Sequence, residues 1–104
     1  SLAWGVATAV ARRRAGLLKA LNAEFGSRVE VLGAPAGLHL TIRMKTRLDD
    51  AEVVARAAAR GVGIISASIY YNTRAPGGEF VLGYGQVSEA EIPKGVRLLA
   101  EAVG

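Results

Sequence analysis

The chain has 104 residues, 51% hydrophobic and 21% charged, which suits one compact domain with its own core and is far too apolar for a disordered segment. With no cysteine and a single histidine, His39, it excludes disulfide frameworks, thiolate nucleophiles, cysteine-ligated zinc or iron–sulfur centres and metal sites built mainly from imidazoles of one copy. Thirteen basic against nine acidic residues give a formal charge of +4, but outside Arg12, Arg13 and Arg14 the basic residues are scattered singly, so direct nucleic-acid binding by this piece is not expected.

Every long apolar stretch is broken by Arg, Lys, Asp or Gly before the ~18 residues that a membrane helix needs, and a soluble, cytoplasmic protein is expected. The opening SLAWGVATAVA differs from a signal peptide because its charges follow the apolar run. Ser1 without a preceding Met suggests a piece of a longer chain. Residues 5–25 put Val6, Val10, Leu17, Leu18, Leu21 and Phe25 at helical spacings, with the arginines and Lys19 on the remaining face. An amphipathic helix is predicted, closed by Gly26 as a left-handed cap, with Arg12, Arg13 and Arg14 on a solvated face.

The period then changes. VEVLG at 29–33 alternates, and LHLTIRM at 38–44 alternates again with Leu38, Leu40, Ile42 and Met44 on one face. Two adjacent antiparallel strands are predicted, joined by the Gly/Pro connector 33–37 around Pro35. His39 falls on the opposite face, toward solvent, a second layer or an absent partner, and no Asp or Ser at a useful spacing makes it catalytic.

Asp49 or Asp50 caps a helix over 50–60, with Val53, Val54, Ala57 and Ala58 as its buried stripe and Gly61 as its stop. VGIIS at 62–66 reads as a strand buried on both sides or a short edge strand. Tyr70 and Tyr71, adjacent in an extended segment, cannot both face one core, so one of them meets something outside the domain. A loop over 72–78 leads into the strand FVLGYG at 80–85. The glycines of GVG at 61–63 and GYGQ at 83–86 lack the spacing of a phosphate cradle. Ser88 and Glu91 have capping-box spacing before Ile92, Val96, Leu99 and Val103, predicting a helix over about 88–103 whose first turn explains the carboxylates of Glu89 and Glu91. Pro93 inside that span requires a later start or a kink. The order predicts one α+β domain over 1–104: a mostly antiparallel sheet of three or four strands with helices packed on one face.

GAPAGLHLTIRM, then a helix, then ARGVGIISASIYY, then GEFVLGYGQVSEAEIPKGVRLLAEAV resembles the C-terminal small domain of fold-type-I pyridoxal-phosphate (PLP) enzymes. It most resembles the aminotransferase-like domain of MocR/GabR-type regulators in the GntR superfamily. The resemblance runs over nearly the whole chain from the arginine-rich helix onward. Its most specific part is the tail, where a strand of the form RLGFA, then S-x-E-E-I, then a G-V-x-x-L-A helix correspond to Val81–Gly85, Ser88–Ile92 and Gly95–Ala100. Ser66-Ala67-Ser68-Ile69-Tyr70 stands where aminotransferases carry a PGS-x-F-like turn, with Ser66-Ala67 replacing the PG.

The resemblance implies a regulator whose aminotransferase-like module senses cofactor and an amino compound, with this chain as its last domain. The partners implied are a large PLP-binding domain and a second subunit in a homodimer. DNA would be met only through a separate N-terminal winged helix. By this resemblance Val81, Tyr70 and Tyr71 would be the substrate-facing residues; catalytic, cofactor-binding and metal-ligating residues are expected to be none. Lys19, Lys45 and Lys94 are not expected to bond PLP, because the family's lysine lies in the large domain. Val81 stands where related aminotransferases hold the substrate carboxylate with an arginine fork, and Arg43 and Arg74 are the substitutes the chain offers. The alternatives are the C-terminal domain of a genuine aminotransferase and a free-standing α/β-plait binding or dimerisation module. Cut from its neighbours, the chain is expected to bare apolar surface near Trp4, Val6, Tyr70 and Tyr71 and to self-associate.

Overall fold

A computed structural model describes residues 2–33 and 38–104, with side chains from Thr8 onward. Helix α1 spans Leu2–Phe25, strand β1 Val29–Gly33, strand β2 His39–Met44, helix α2 Asp50–Ala59, strand β3 Ile65–Ser66, strand β4 Glu79–Gly83 and helix α3 Ile92–Val103. Short 3₁₀ turns at Gly26–Arg28, Ala67–Tyr70 and Glu89–Glu91 join them. The four strands form one sheet in the order β1-β2-β4-β3, every pair antiparallel. The predicted architecture, an antiparallel sheet beneath three helices, is the one observed.

Alternation fixes which side of the sheet is the core. Leu40 stands opposite Leu82 and Ile42 opposite Phe80, and these four with Met44 and Tyr84 are buried beneath the helices. The helices answer at intervals of three and four residues. Leu17, Leu21 and Phe25 of α1, Val53 and Ala57 of α2, and Ile92, Val96, Leu99 and Val103 of α3 close the same cluster. Each such side chain taken fully out of water is worth roughly 1.5 to 3 kcal/mol.

The ends of the helices follow local chemistry. Gly26 takes the left-handed φ of 54° that stops α1. Asp49 is the cap of α2, accepting a hydrogen bond from the Glu52 amide at 2.9 Å. Asp50 is inside the helix, and its carboxylate turns away to other partners described below. Ser88 caps the 3₁₀ turn 89–91, so α3 begins only at Ile92 and Pro93 falls in its first turn, where no amide hydrogen is needed. The later start, and not a kink, resolves the conflict around Pro93.

Several expectations need correction. The strand predicted at 62–66 is reduced to the two residues of β3 on the sheet edge, with Ile64 turned into the core and Ile65 half exposed. In α2, Ala58 is exposed and Val54 only partly covered, because ten residues bury a narrow stripe. Leu18 and Leu38 are likewise at the surface. Arg13 does not belong to a solvated face: its Nε donates to the Val87 carbonyl at 2.8 Å, tying α1 to the segment before α3. Tyr70 lies in a 3₁₀ turn instead of an extended segment, which ends the argument from alternation there. The Pro35 connector and the side chains of Trp4 and Val6 lie outside the described residues. No helix among the described residues is long and apolar enough to cross a membrane.

Candidate functional site

The face of the sheet turned away from the helices carries His39, Thr41 and Arg43 from β2 and Glu79 and Val81 from β4. Thr41 pairs directly with Val81 and Arg43 with Glu79. The 3₁₀ turn after β3 packs against β4 on this side. Ser66 shapes the turn by accepting the Ser68 amide at 3.2 Å, and the Tyr71 amide donates back to the Ser68 carbonyl at 3.1 Å. The result is an open hollow of about 470 Å³ lined by His39, Thr41, Ala67, Tyr70, Tyr71, Glu79 and Val81. Val81 and Ala67, 8% and 4% exposed, form its apolar floor, and Tyr70, 67% exposed, stands on its rim.

Glu79 is the only charged side chain among the buried residues described, at 5% exposure. Arg43 reaches one of its carboxylate oxygens at 3.2 Å, and the Tyr71 hydroxyl donates to the other. The same guanidinium donates to Glu30 on the edge strand at 2.9 Å. One cation therefore sits between two carboxylates laid side by side by the strand register. The hydrogen bond to Glu79 raises the Arg43 pKa above its ordinary value, overriding a smaller opposing effect of burial. The hydrogen bond to Glu79 likewise raises the Tyr71 phenol above its ordinary value, with burial adding to it. A buried carboxylate stripped of such partners is strongly destabilising, so the cluster holds the turn and the loop after it onto the sheet.

Asp50 anchors the other end of that loop. Its carboxylate accepts the Ser66 hydroxyl at 2.6 Å and the Gly78 amide at 2.8 Å. The Gly78 carbonyl in turn accepts the Met44 amide at 2.7 Å. Gly78 has φ 76°, and a Cβ there would meet the Met44 carbonyl oxygen at 3.1 Å. Only glycine fits both demands without strain.

The structure thus brings together Val81, Tyr70 and Tyr71, the three residues the sequence pointed to, and adds His39 beside them. Arg74 does not line the hollow, and Arg43 reaches its edge already committed to Glu30 and Glu79. Lys19, Lys45 and Lys94 are exposed and none lines the hollow. Among the described residues no group of three or more His, Asp or Glu could hold a metal ion. Glu79 was missed by the sequence reading, in which one acidic residue after Gly77-Gly78 is indistinguishable from the polar end of a loop. A second groove of about 360 Å³ runs beside α3 and is lined by core residues such as Leu17, Ile64, Tyr84 and Val96.

No family model matches the chain. It is 34% identical over 91 residues to the uncharacterized HTH-type transcriptional regulator YhdI of Bacillus subtilis (strain 168), a match covering 88% of this chain and 19% of that protein. It is 30% identical over 91 residues to YdeL, another uncharacterized HTH-type transcriptional regulator of the same organism, covering 88% of this chain and 20% of that protein. The chain therefore spans about a fifth of the length of the curated relatives it matches. Among solved structures, LysN, the alpha-aminoadipate aminotransferase of Thermus thermophilus, superposes with a TM-score of 0.81 at 19% identity, over 92% of this chain and 25% of its own. That protein was crystallised with N-(5'-phosphopyridoxyl)-L-leucine. The chain has the fold of the small C-terminal domain of aminotransferases and a sequence similar to part of two HTH-type transcriptional regulators, which matches the expected resemblance to the aminotransferase-like C-terminal domain of MocR-type regulators.

Proposed function

We propose that this chain is the ligand-covering part of an effector-sensing module in a longer transcriptional regulator, and that it does not transaminate by itself. The hollow on the outer face of the sheet carries the reading. It gathers Tyr70 and Tyr71 over the apolar floor of Val81 and Ala67, beside an ion cluster that holds the Tyr71 hydroxyl. A small ligand held on a neighbouring domain would be covered by this face, and the ordering of the turn 67–71 would report its presence. PLP, in this reading, is held by the large domain of the longer protein, whose other partners are a second subunit and, through a separate domain, DNA. The cytoplasm is the matching compartment. Val81 supports a sensing role over a catalytic one, since a valine offers no charge to orient a substrate carboxylate.

Hydrogen–deuterium exchange on the longer protein that carries this segment tests the reading. Adding PLP with a series of amines and amino acids should slow exchange in peptides covering 67–71 and 79–83. Unchanged exchange there, with ligand bound elsewhere in the molecule, would overturn it.

A further inference from the structure

We propose that the outer-face hollow selects a protonated organic amine carried on an apolar or aromatic body, and rejects carboxylates. The inference rests on the reading of this face as ligand-facing and adds the charge and shape of what it admits.

The charge argument starts from the strand register. Arg43 stands between Glu30 and Glu79, directly opposite each across the sheet. Its two terminal nitrogens are taken by the two carboxylates, at 2.9 and 3.2 Å. Glu79 has both oxygens engaged, one by Arg43 and one by Tyr71, with its side chain 7% exposed. One positive and two negative groups leave the cluster at the hollow's edge with a net negative charge; the lining itself carries Glu79 and the His39 ring and neither Lys nor Arg. An entering carboxylate would meet a guanidinium that is already shared, against two like charges. An ammonium group meets the opposite field, together with the tyrosine rings among the lining residues, a ring type whose π system attracts cations.

The shape argument concerns the ligand's body. Val81 and Ala67 make a floor with no polar side-chain atom, with the half-buried Thr41 hydroxyl and the His39 ring among the polar groups beside it. Pockets for small ligands commonly combine such a floor with a few polar groups in roughly 300–1,000 Å³, and this hollow falls in that range.

The test uses three probes with one body: 2-phenylethylamine, 2-phenylethanol and phenylacetate. Each is titrated at pH 8 into isotope-labelled chain at two protein concentrations, following the resonances of Thr41, Tyr70, Tyr71 and Val81. The amine should shift these residues saturably and bind at least tenfold more tightly than phenylacetate, with the alcohol between them. Tyr70→Ala, a change at an exposed position, should weaken the amine at least threefold while the urea midpoint stays in place. Phenylacetate binding as tightly as the amine overturns the charge assignment but leaves the ligand-facing reading intact. So does an amine affinity that is indifferent to Tyr70→Ala. Silence at these residues with all three probes overturns both readings.

Discussion

The Tyr71 hydroxyl donates to the Glu79 carboxylate eight residues further along the chain, and that one bond closes the loop between them onto the sheet. The loop is held at both ends by carboxylates, Glu79 at one and Asp50 at the other. Its position over the outer face is therefore set by side chains from α2 and β4 more than by its own residues.

The Tyr71–Glu79 bond has a signature at alkaline pH. Because the folded phenol titrates above its ordinary value of 10.0, the native state keeps this proton where the unfolded chain releases it. The stability it contributes is fully present below about pH 10 and is lost as pH rises through the raised folded value. Urea melts at a series of pH values from 8 to 11.5 should show a steeper alkaline loss in the parent chain than in Tyr71→Phe. Equal slopes would mean that the bond does not persist in solution.

Asp50→Ala removes the acceptor for both the Ser66 hydroxyl and the Gly78 amide, and should lower unfolding free energy by about 1–3 kcal/mol. Gly78→Ala forces a Cβ into left-handed backbone against the Met44 carbonyl and should cost a comparable ~1–3 kcal/mol. The double variant should lose less than the sum, since both changes release the same loop. Full additivity in denaturant melts would show the two anchors to be independent.

Incubating the chain with PLP and then borohydride should leave no stoichiometric adduct on a single lysine. Lys19, Lys45 and Lys94 are all exposed and stand apart from the hollow. Peptide mapping that found one of them quantitatively modified would overturn the proposal that PLP is held by a separate large domain.

Ile65, Ile69 and Tyr70 occupy consecutive segments at the edge of the sheet and are each half or more exposed. The isolated chain should therefore self-associate, with a two-fold dimer the simplest closed form. Sedimentation over a concentration series should show the association, and Ile69→Asp, at a position 67% exposed, should shift it toward monomer without affecting the fold. A chain that stays monomeric at high concentration would contradict this.

The parts of the fold that were legible in the sequence are those where one element decides its own burial. Leu40, Ile42 and Met44 alternate because β2 has one covered face, and Val96, Leu99 and Val103 recur because α3 lies along the core. The short edge strand was legible only as one of two options, since four apolar or glycine residues before Ser66 do not reveal how few will pair. What stayed hidden depends on groups far apart in sequence. Glu79 is buried by Tyr71 eight residues away and Arg43 thirty-six residues away, and Arg13 meets a carbonyl seventy-four residues on. No local pattern of charge encodes those meetings. Val81, Tyr70 and Tyr71 were found through resemblance to a family, and the hollow that unites them became visible only when the 3₁₀ turn replaced the expected extended segment.

The sheet order places β4 between β2 and β3 although it is the last strand to be synthesised. At ~5–20 residues per second on the ribosome, β2 emerges seconds before the strand that joins it to β3. Until Phe80 and Leu82 arrive, Ile42 and Leu40 lack their cross-strand neighbours, and the hairpin of β1 and β2 offers an open apolar edge.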